Sequence, residues 1–148
     1  MIGAFHGGSG YTLPMSQPTL SDPPVCVAVI ICNEIIEDKR SSNKTLVGLF
    51  NAIAVPALPA THPRLILFAS LTDIREDASV SFSLRAPSGH EALRIDGIAG
   101  SGGDPLAVVD LVVEVVGLNI TEEGVHFVDV LCGDTLLSSR RFTVTRRG

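Results

Sequence analysis

Histidine and carboxylate side chains are the groups in this sequence that could perform acid–base chemistry. Of the four histidines, His62 has the most suggestive setting, between Pro59 and Pro63 and close to Arg64. If the fold brought His62 to Asp73, the two side chains could act as the general acid and base of a hydrolase. The alternative is an ordinary loop histidine. The sequence favours this alternative, because it contains no Gly-x-Ser-x-Gly elbow, His-Glu-x-x-His or P-loop.

Carboxylates gather in three short segments that we expect to be loops. Calcium takes six to eight oxygen ligands, and some β-sandwiches bind it with acidic loops that meet at one end. The chain has no Asp-x-Asp repeat, and solvated loops are the simpler interpretation, so we expect no metal site and keep a calcium-binding module as an alternative. The segments are Glu34, Glu37 and Asp38; Asp73, Glu76 and Asp77; Glu122 and Glu123.

The three cysteines, Cys26, Cys32 and Cys132, are expected to be free thiols. Six residues of strand separate Cys26 from Cys32 by roughly 20 Å, too far for a disulfide. An odd count without a Cys-x-x-Cys pair also argues against zinc. Reduced thiols, and the absence of a signal-peptide pattern or an 18-residue apolar run, predict a cytoplasmic protein without a membrane span.

Charge is distributed unevenly along the chain. The net charge of −5 argues against a nucleic-acid partner, which would require an excess of Lys and Arg. The last nine residues nevertheless carry +4, and the 139 before them carry −9. Two interpretations stay open: a basic patch for an acidic partner or a phosphate, or a solvated final strand. The four arginines are Arg140, Arg141, Arg146 and Arg147.

Short β segments must position all of these side chains. Residues 1–24 are rich in Gly and Pro and form an expected flexible leader, and residues 25–148 form a single domain. Alternation of apolar and polar residues is clearest over 79–86, and Gly133-Asp134 suits a type II′ hairpin turn. The expected strands are 25–33, 44–55, 64–72, 79–86, 91–98, 106–120, 125–132 and 135–145.

The segment 106–120 could also form a helix. Asp104 and Pro105 resemble a helix start, and Asp110 and Glu114 are spaced as on one helix face. Six valines in the segment favour a strand, and we predict a strand. Eight strands without a secure helix predict an antiparallel β-sandwich with immunoglobulin-like or related Greek-key topology.

Several strands are apolar on both faces, which a sandwich covered on one side of each sheet does not need. The mean hydropathy is +0.37 although aromatic residues make up 5% of the chain and Trp is absent, so aliphatic residues account for the excess. We therefore expect another copy of the protein, or another protein, to cover the second faces. The residues assigned to this contact are Val27, Val29, Ile31, Val108, Val112 and Val116.

Four motifs give the chain a family resemblance: residues 30–38 (IICNEIIED), 46–51 (LVGLFN), 62–65 (HPRL) and 71–73 (LTD). Over residues 25–144 the chain resembles a family of short bacterial proteins of unknown function. Gly124-Val125-His126-Phe127 is similar to the Gly-x-Tyr-x corner of immunoglobulin-like sandwiches, with His126 in place of Tyr. The resemblance implies a single-domain bacterial β protein and brings no activity, cofactor or catalytic residue.

The leading hypothesis is therefore a non-catalytic sandwich that acts through protein–protein contact, as a homo-oligomer or with an unidentified protein. A small-ligand module, for example for carbohydrate, is an alternative, although only Tyr11 and six Phe could provide aromatic platforms. A hydrolase built on His62 and Asp73 is the least favoured hypothesis.

Overall fold

The computed structural model describes residues 22–147, so nearly all of the predicted leader lies outside the described residues. Nine strands follow one another along this part of the chain. They are β1 (Val25–Glu37), β2 (Lys44–Leu49), β3 (Ala52–Val55), β4 (Ala60–Thr72), β5 (Ala78–Arg85), β6 (Glu91–Ala99), β7 (Val109–Ile120), β8 (Gly124–Cys132) and β9 (Thr135–Arg146).

The strands form two packed sheets. Sheet A has the order β2-β1-β4-β7, and sheet B has the order β3-β9-β8-β5-β6. All neighbouring strands are antiparallel except β3 and β9, which are parallel. The predicted antiparallel β-sandwich is confirmed, and so is the strand predicted over 106–120, which is β7.

The ninth strand arises because the predicted strand 44–55 is two strands. The chain leaves sheet A after Leu49, and Ala52–Val55 joins sheet B beside β9. Backbone hydrogen bonds fix this crossing, since the amide of Phe50 donates to the carbonyl of Ile31 and the amide of Thr143 donates to the carbonyl of Asn51. The strand 64–72 also begins earlier than predicted, at Ala60, since the extended backbone before each proline is compatible with a strand.

The core lies between the sheets and is mostly aliphatic. On β4 the odd residues 65–71 point inward, and on β5 the even residues 80–84 do so. Along β7 the odd residues 109–115 face the core. Farther on, the even residues Leu118 and Ile120 face it, so the inward side changes from odd to even numbers between 115 and 118. Gly117, with φ of +70°, lies at the change, and the register with β4 stays continuous across it.

His126, which the sequence resemblance matches to the corner tyrosine, is buried beside this core. Its ring stacks on Phe142 with centroids 5.1 Å apart, and its Nδ1 lies 3.1 Å from the carbonyl oxygen of Gly124. The imidazole therefore makes a short-range hydrogen bond to the backbone when Nδ1 carries the proton, as the hydroxyl of a tyrosine corner does.

Candidate interaction surface

The proposed pairing of His62 with Asp73 is wrong. His62 lies near the start of β4 and Asp73 directly after its end, so roughly 36 Å of strand separates them. His62 instead packs against Phe50, with ring centroids 5.9 Å apart, and the carboxylate of Asp73 pairs with Arg75 at 3.0 Å.

The acidic segments do not meet at one end of the sandwich. The antiparallel register places Glu37 and Glu122 near one end and Asp73 near the other. Several of these carboxylates have structural partners: Glu122 accepts hydrogen bonds from the amide and hydroxyl of Ser88, which lower its pKa. Asp38 accepts from two amides of its own loop. Within residues 22–147, no group of three or more His, Cys, Asp or Glu side chains is placed to hold a metal ion.

The outer surface of sheet B is a network of paired polar groups. The hydroxyl of Ser81 donates to Asp96 at 2.5 Å, and this bond, with Arg94 nearby, lowers the pKa of the Asp96 carboxyl. The guanidinium of Arg85 donates to Asp129 at 2.9 Å. Ser83 donates to Glu91, Ser139 donates to Asp129, and the guanidinium of Arg85 lies 4.4 Å from the ring centroid of Phe127. The exposed large apolar side chains on this surface are Ile98, Val125 and Leu136.

The outer surface of sheet A is largely apolar, and we call it the A face. Its central side chains on β1 and β4, Cys32, Ile66 and Phe68, are buried but are not members of the core between the sheets. Its two edge strands expose apolar side chains, such as Leu49 on β2 with 53% of its surface accessible. The residues of the A face are Ala28, Ile30, Cys32, Val47, Leu49, Ile66, Phe68, Val112 and Val116, with Glu34, Arg64, Ser70, Asp110 and Glu114 among them.

The structure places the six predicted contact residues in two groups. Four are exposed: Val27 (58%), Val108 (62%), Val112 (41%) and Val116 (71%). The assignment of Val29 and Ile31 to an exposed face is wrong, because both are buried in the core.

A β-bulge causes the misassignment on β1. The register shifts between Cys26 and Ala28, so Val27 lies outside the regular pairing and the alternation restarts beyond it. The even residues Ile30 and Cys32 therefore occupy the A face instead of Val29 and Ile31. Sequence reasoning also missed Leu49 and Val47, whose position becomes visible only once β2 is paired with β1.

The remaining sequence candidates have structural settings. All three cysteines are free thiols, and burial raises the pKa of each, which lowers their reactivity. Every Phe among residues 22–147 is buried or half-buried, so this part of the chain presents no exposed phenylalanine platform for a sugar. In the described residues, no helix has the length and apolar character needed to cross a membrane.

Comparisons with known proteins match the chain to one family and to two solved structures. Residues 27–145 match a family of unknown function, DUF6941, as the sequence resemblance implied. An immunoglobulin-like protein from Pseudomonas aeruginosa is 14% identical, with a TM-score of 0.43, and the match covers 85% of this chain and 99% of that one. The alkylpurine DNA glycosylase AlkC from Pseudomonas fluorescens, solved bound to DNA with an abasic site analogue, is 15% identical with a TM-score of 0.41. That match covers 79% of this chain and 30% of the glycosylase chain. No curated protein matches the chain.

Proposed function

We propose that this chain, which belongs to the DUF6941 family of unknown function, acts through protein–protein contact as a homodimer joined at its A faces. The observation that carries the proposal is the contrast between the two outer surfaces of one sandwich. Sheet B presents paired serines, arginines and carboxylates to water, whereas sheet A presents Leu49, Val112 and Val116. An apolar surface of this extent is typical of an interaction site.

The size of the A face suits a stable dimer. Four strands spaced about 4.8 Å apart give a width of roughly 19 Å, and the 13 residues of β1 or β4 span roughly 43 Å. With the shorter β2, the flat area is about 700 Å², and its accessible part lies mainly on the edge strands, since Cys32, Ile66 and Phe68 are already buried. A standard specific interface buries about 800 Å² per partner.

The polar residues of the A face have positions that suit an interface. Arg64 and Glu114 form an ion pair with each other, and Arg64 also donates to the carbonyl of Asn33 at 2.9 Å. The hydroxyl of Ser70 donates to Asp110 at 2.9 Å. Because these charged and polar groups already have partners within the chain, covering the face with a second copy leaves few of them unsatisfied.

A second copy is the occupant that the two-fold symmetry of homodimers favours. In a two-fold dimer the same patch meets itself, so an apolar surface needs no separate partner of matching shape and charge. The three free thiols support a reducing compartment, and we place this dimer in the cytoplasm.

The test is the association state of the protein and of Val112→Lys. Val112 is opposite Phe68 on the A face and is partly exposed, so the lysine can reach water in a monomer but is trapped in the proposed dimer. Sedimentation velocity should give the native protein about twice the chain mass of 15.6 kDa at micromolar concentration. The substitution should weaken association at least about 30-fold, as expected for a central interface residue.

Leu136→Lys is the matched control. Leu136 is 53% exposed and begins β9 in sheet B, so it receives the same charge on the other sheet. Far-UV circular dichroism of both variants checks that the sandwich is intact. A native protein that sediments as a monomer at micromolar concentration overturns the proposal, as does equal weakening by both substitutions.

A further inference from the structure

A polar groove lies on sheet B where β3 joins β9. Its volume is about 510 Å³. It contains two adjacent arginines of the basic segment singled out in the sequence, together with hydroxyl, amide and apolar groups. The residues that line it are Asn51, Val125, Ser139, Arg140, Arg141, Phe142 and Thr143.

Arg140 reaches from β9 across the open side of the sandwich to β1. The strand β2 pairs with β1 only from Cys32 onward, so the backbone of Val29 has no strand neighbour on that side. One terminal nitrogen of Arg140 donates to the carbonyl of Val29 at 3.3 Å, and the other donates to the side-chain oxygen of Asn51 at 2.9 Å. Both partners are neutral, and the Nε of Arg140 is buried with no hydrogen-bond partner.

Neither Arg140 nor Arg141 has a carboxylate within ion-pair distance in the described part of the chain. Five of the eleven basic residues, all between 44 and 94, have one within 4 Å, and in this part of the chain Arg140 and Arg141 are among the six that do not. Asp129, on the neighbouring strand β8, bonds with Arg85 and the hydroxyl of Ser139 and forms no ion pair with Arg140 or Arg141. The positive charge at the groove is therefore uncompensated within residues 22–147.

A half-buried guanidinium whose acceptors are all neutral gains stability when an anion accepts hydrogen bonds from its remaining terminal N–H groups. Guanidinium groups match the oxygens of phosphates in pairs of hydrogen bonds. From the two guanidinium groups without a carboxylate and the cavity that they line, we infer that this groove binds a phosphate group. The groove has room for more than the phosphate itself, and Val125 provides an apolar wall beside the arginines.

Titrations of the ¹⁵N-labelled full-length protein with two probes test the inference. The probes are inorganic phosphate and phenyl phosphate at constant ionic strength, and the readout is the amide shifts of residues 139–143 followed by NMR. Both should bind at this segment. Tighter binding of phenyl phosphate identifies an organic phosphate as the ligand, and equal affinities identify free phosphate; saturable shifts elsewhere, or none, overturn the inference.

Substitutions locate the site. Arg141→Gln should weaken phosphate binding at least tenfold, since it removes a charged donor while leaving the contacts of Arg140 with Val29 and Asn51 intact. Arg147→Gln makes the same change in net charge beyond the end of β9, outside the groove, and should leave the affinity within twofold. If both variants lose affinity for phosphate equally, the phosphate is attracted diffusely to the basic segment, and the assignment of a site in the groove is wrong.

This inference is independent of the proposed dimer. The groove belongs to sheet B and the dimer to the outer surface of sheet A, so a monomeric native protein that binds phosphate refutes only the dimer. A dimer that binds neither probe refutes only the groove.

Discussion

Replacing Gly117 by Ala should destabilise the sandwich, and the effect can be worked out from backbone geometry alone. Gly117 adopts φ of +70°, and an added Cβ would meet no atom within 4 Å. The substitution therefore introduces no steric clash, and it changes stability only through the conformational free energy of the backbone at residue 117.

Two opposing terms set the expected size of this effect. An L-residue in the left-handed region costs about 1–2 kcal/mol relative to the right-handed helical region. Replacing Gly by Ala also reduces the conformational entropy of the unfolded chain, which stabilises the folded state by about 0.4–1 kcal/mol. We therefore expect Gly117→Ala to lower the free energy of unfolding by about 1 kcal/mol.

Gly97→Ala is the matched control for this prediction. Gly97 lies in β6, has an ordinary backbone conformation, and also has no atom within 4 Å of the added Cβ. Its Cβ would enter a cleft of about 130 Å³ between β6 and β7. Only the entropy term applies, so this variant should gain about 0.5–1 kcal/mol.

Urea unfolding followed by far-UV circular dichroism measures both variants, at one protein concentration because association would shift the midpoints. The two midpoints should move in opposite directions with unchanged m-values. If Gly117→Ala is as stable as Gly97→Ala, residue 117 is not left-handed.

Two further predictions concern the polar surface of sheet B. Ser81→Ala should raise the pKa of Asp96 toward its ordinary value in an NMR pH titration, because the serine hydroxyl stabilises the carboxylate. A lowered folded-state pKa gives stability above the unfolded-state pKa of about 3.9 and loses it as the pH falls through the folded value, so the variant should lose less stability on acidification. An unchanged Asp96 pKa would contradict this. In a double-mutant cycle of Arg85→Ala and Asp129→Ala, the coupling free energy should be about 1–2 kcal/mol. It is limited to this size because Asp129 is buried but the arginine is 40% exposed. A value below about 0.5 kcal/mol would mean that the ion pair is not formed in solution.

Local patterns were sufficient for most of the strands. The alternation over 79–86 predicted β5, and the valines between 108 and 116 outweighed the helix-like spacing of Asp110 and Glu114. Where residue types repeat with a regular period, the side of the sheet to which each belongs follows from the sequence.

The errors occurred where the period is interrupted. The bulge at Val27 reverses the faces of β1, and the crossing at Phe50 divides one apolar run between two sheets. Both features depend on which strand lies alongside, and that information is not local. The arginine pair was visible in the sequence, but the lack of a carboxylate for Arg140 became visible only once Asp129 was found with Arg85.

The parallel pairing of β3 with β9 has a consequence for the synthesis of the protein. Ala52 pairs with Thr143, about 90 residues later in the chain, so β3 has no partner until the final strand has been made. At 5–20 residues per second, this interval lasts roughly 5–20 s. During that time Ile53 and Val55, which are buried in the finished sandwich, remain exposed on an unpaired segment. Nascent chains of this protein therefore depend on their last described strand to close the sandwich, and they present an apolar target for chaperones until it emerges.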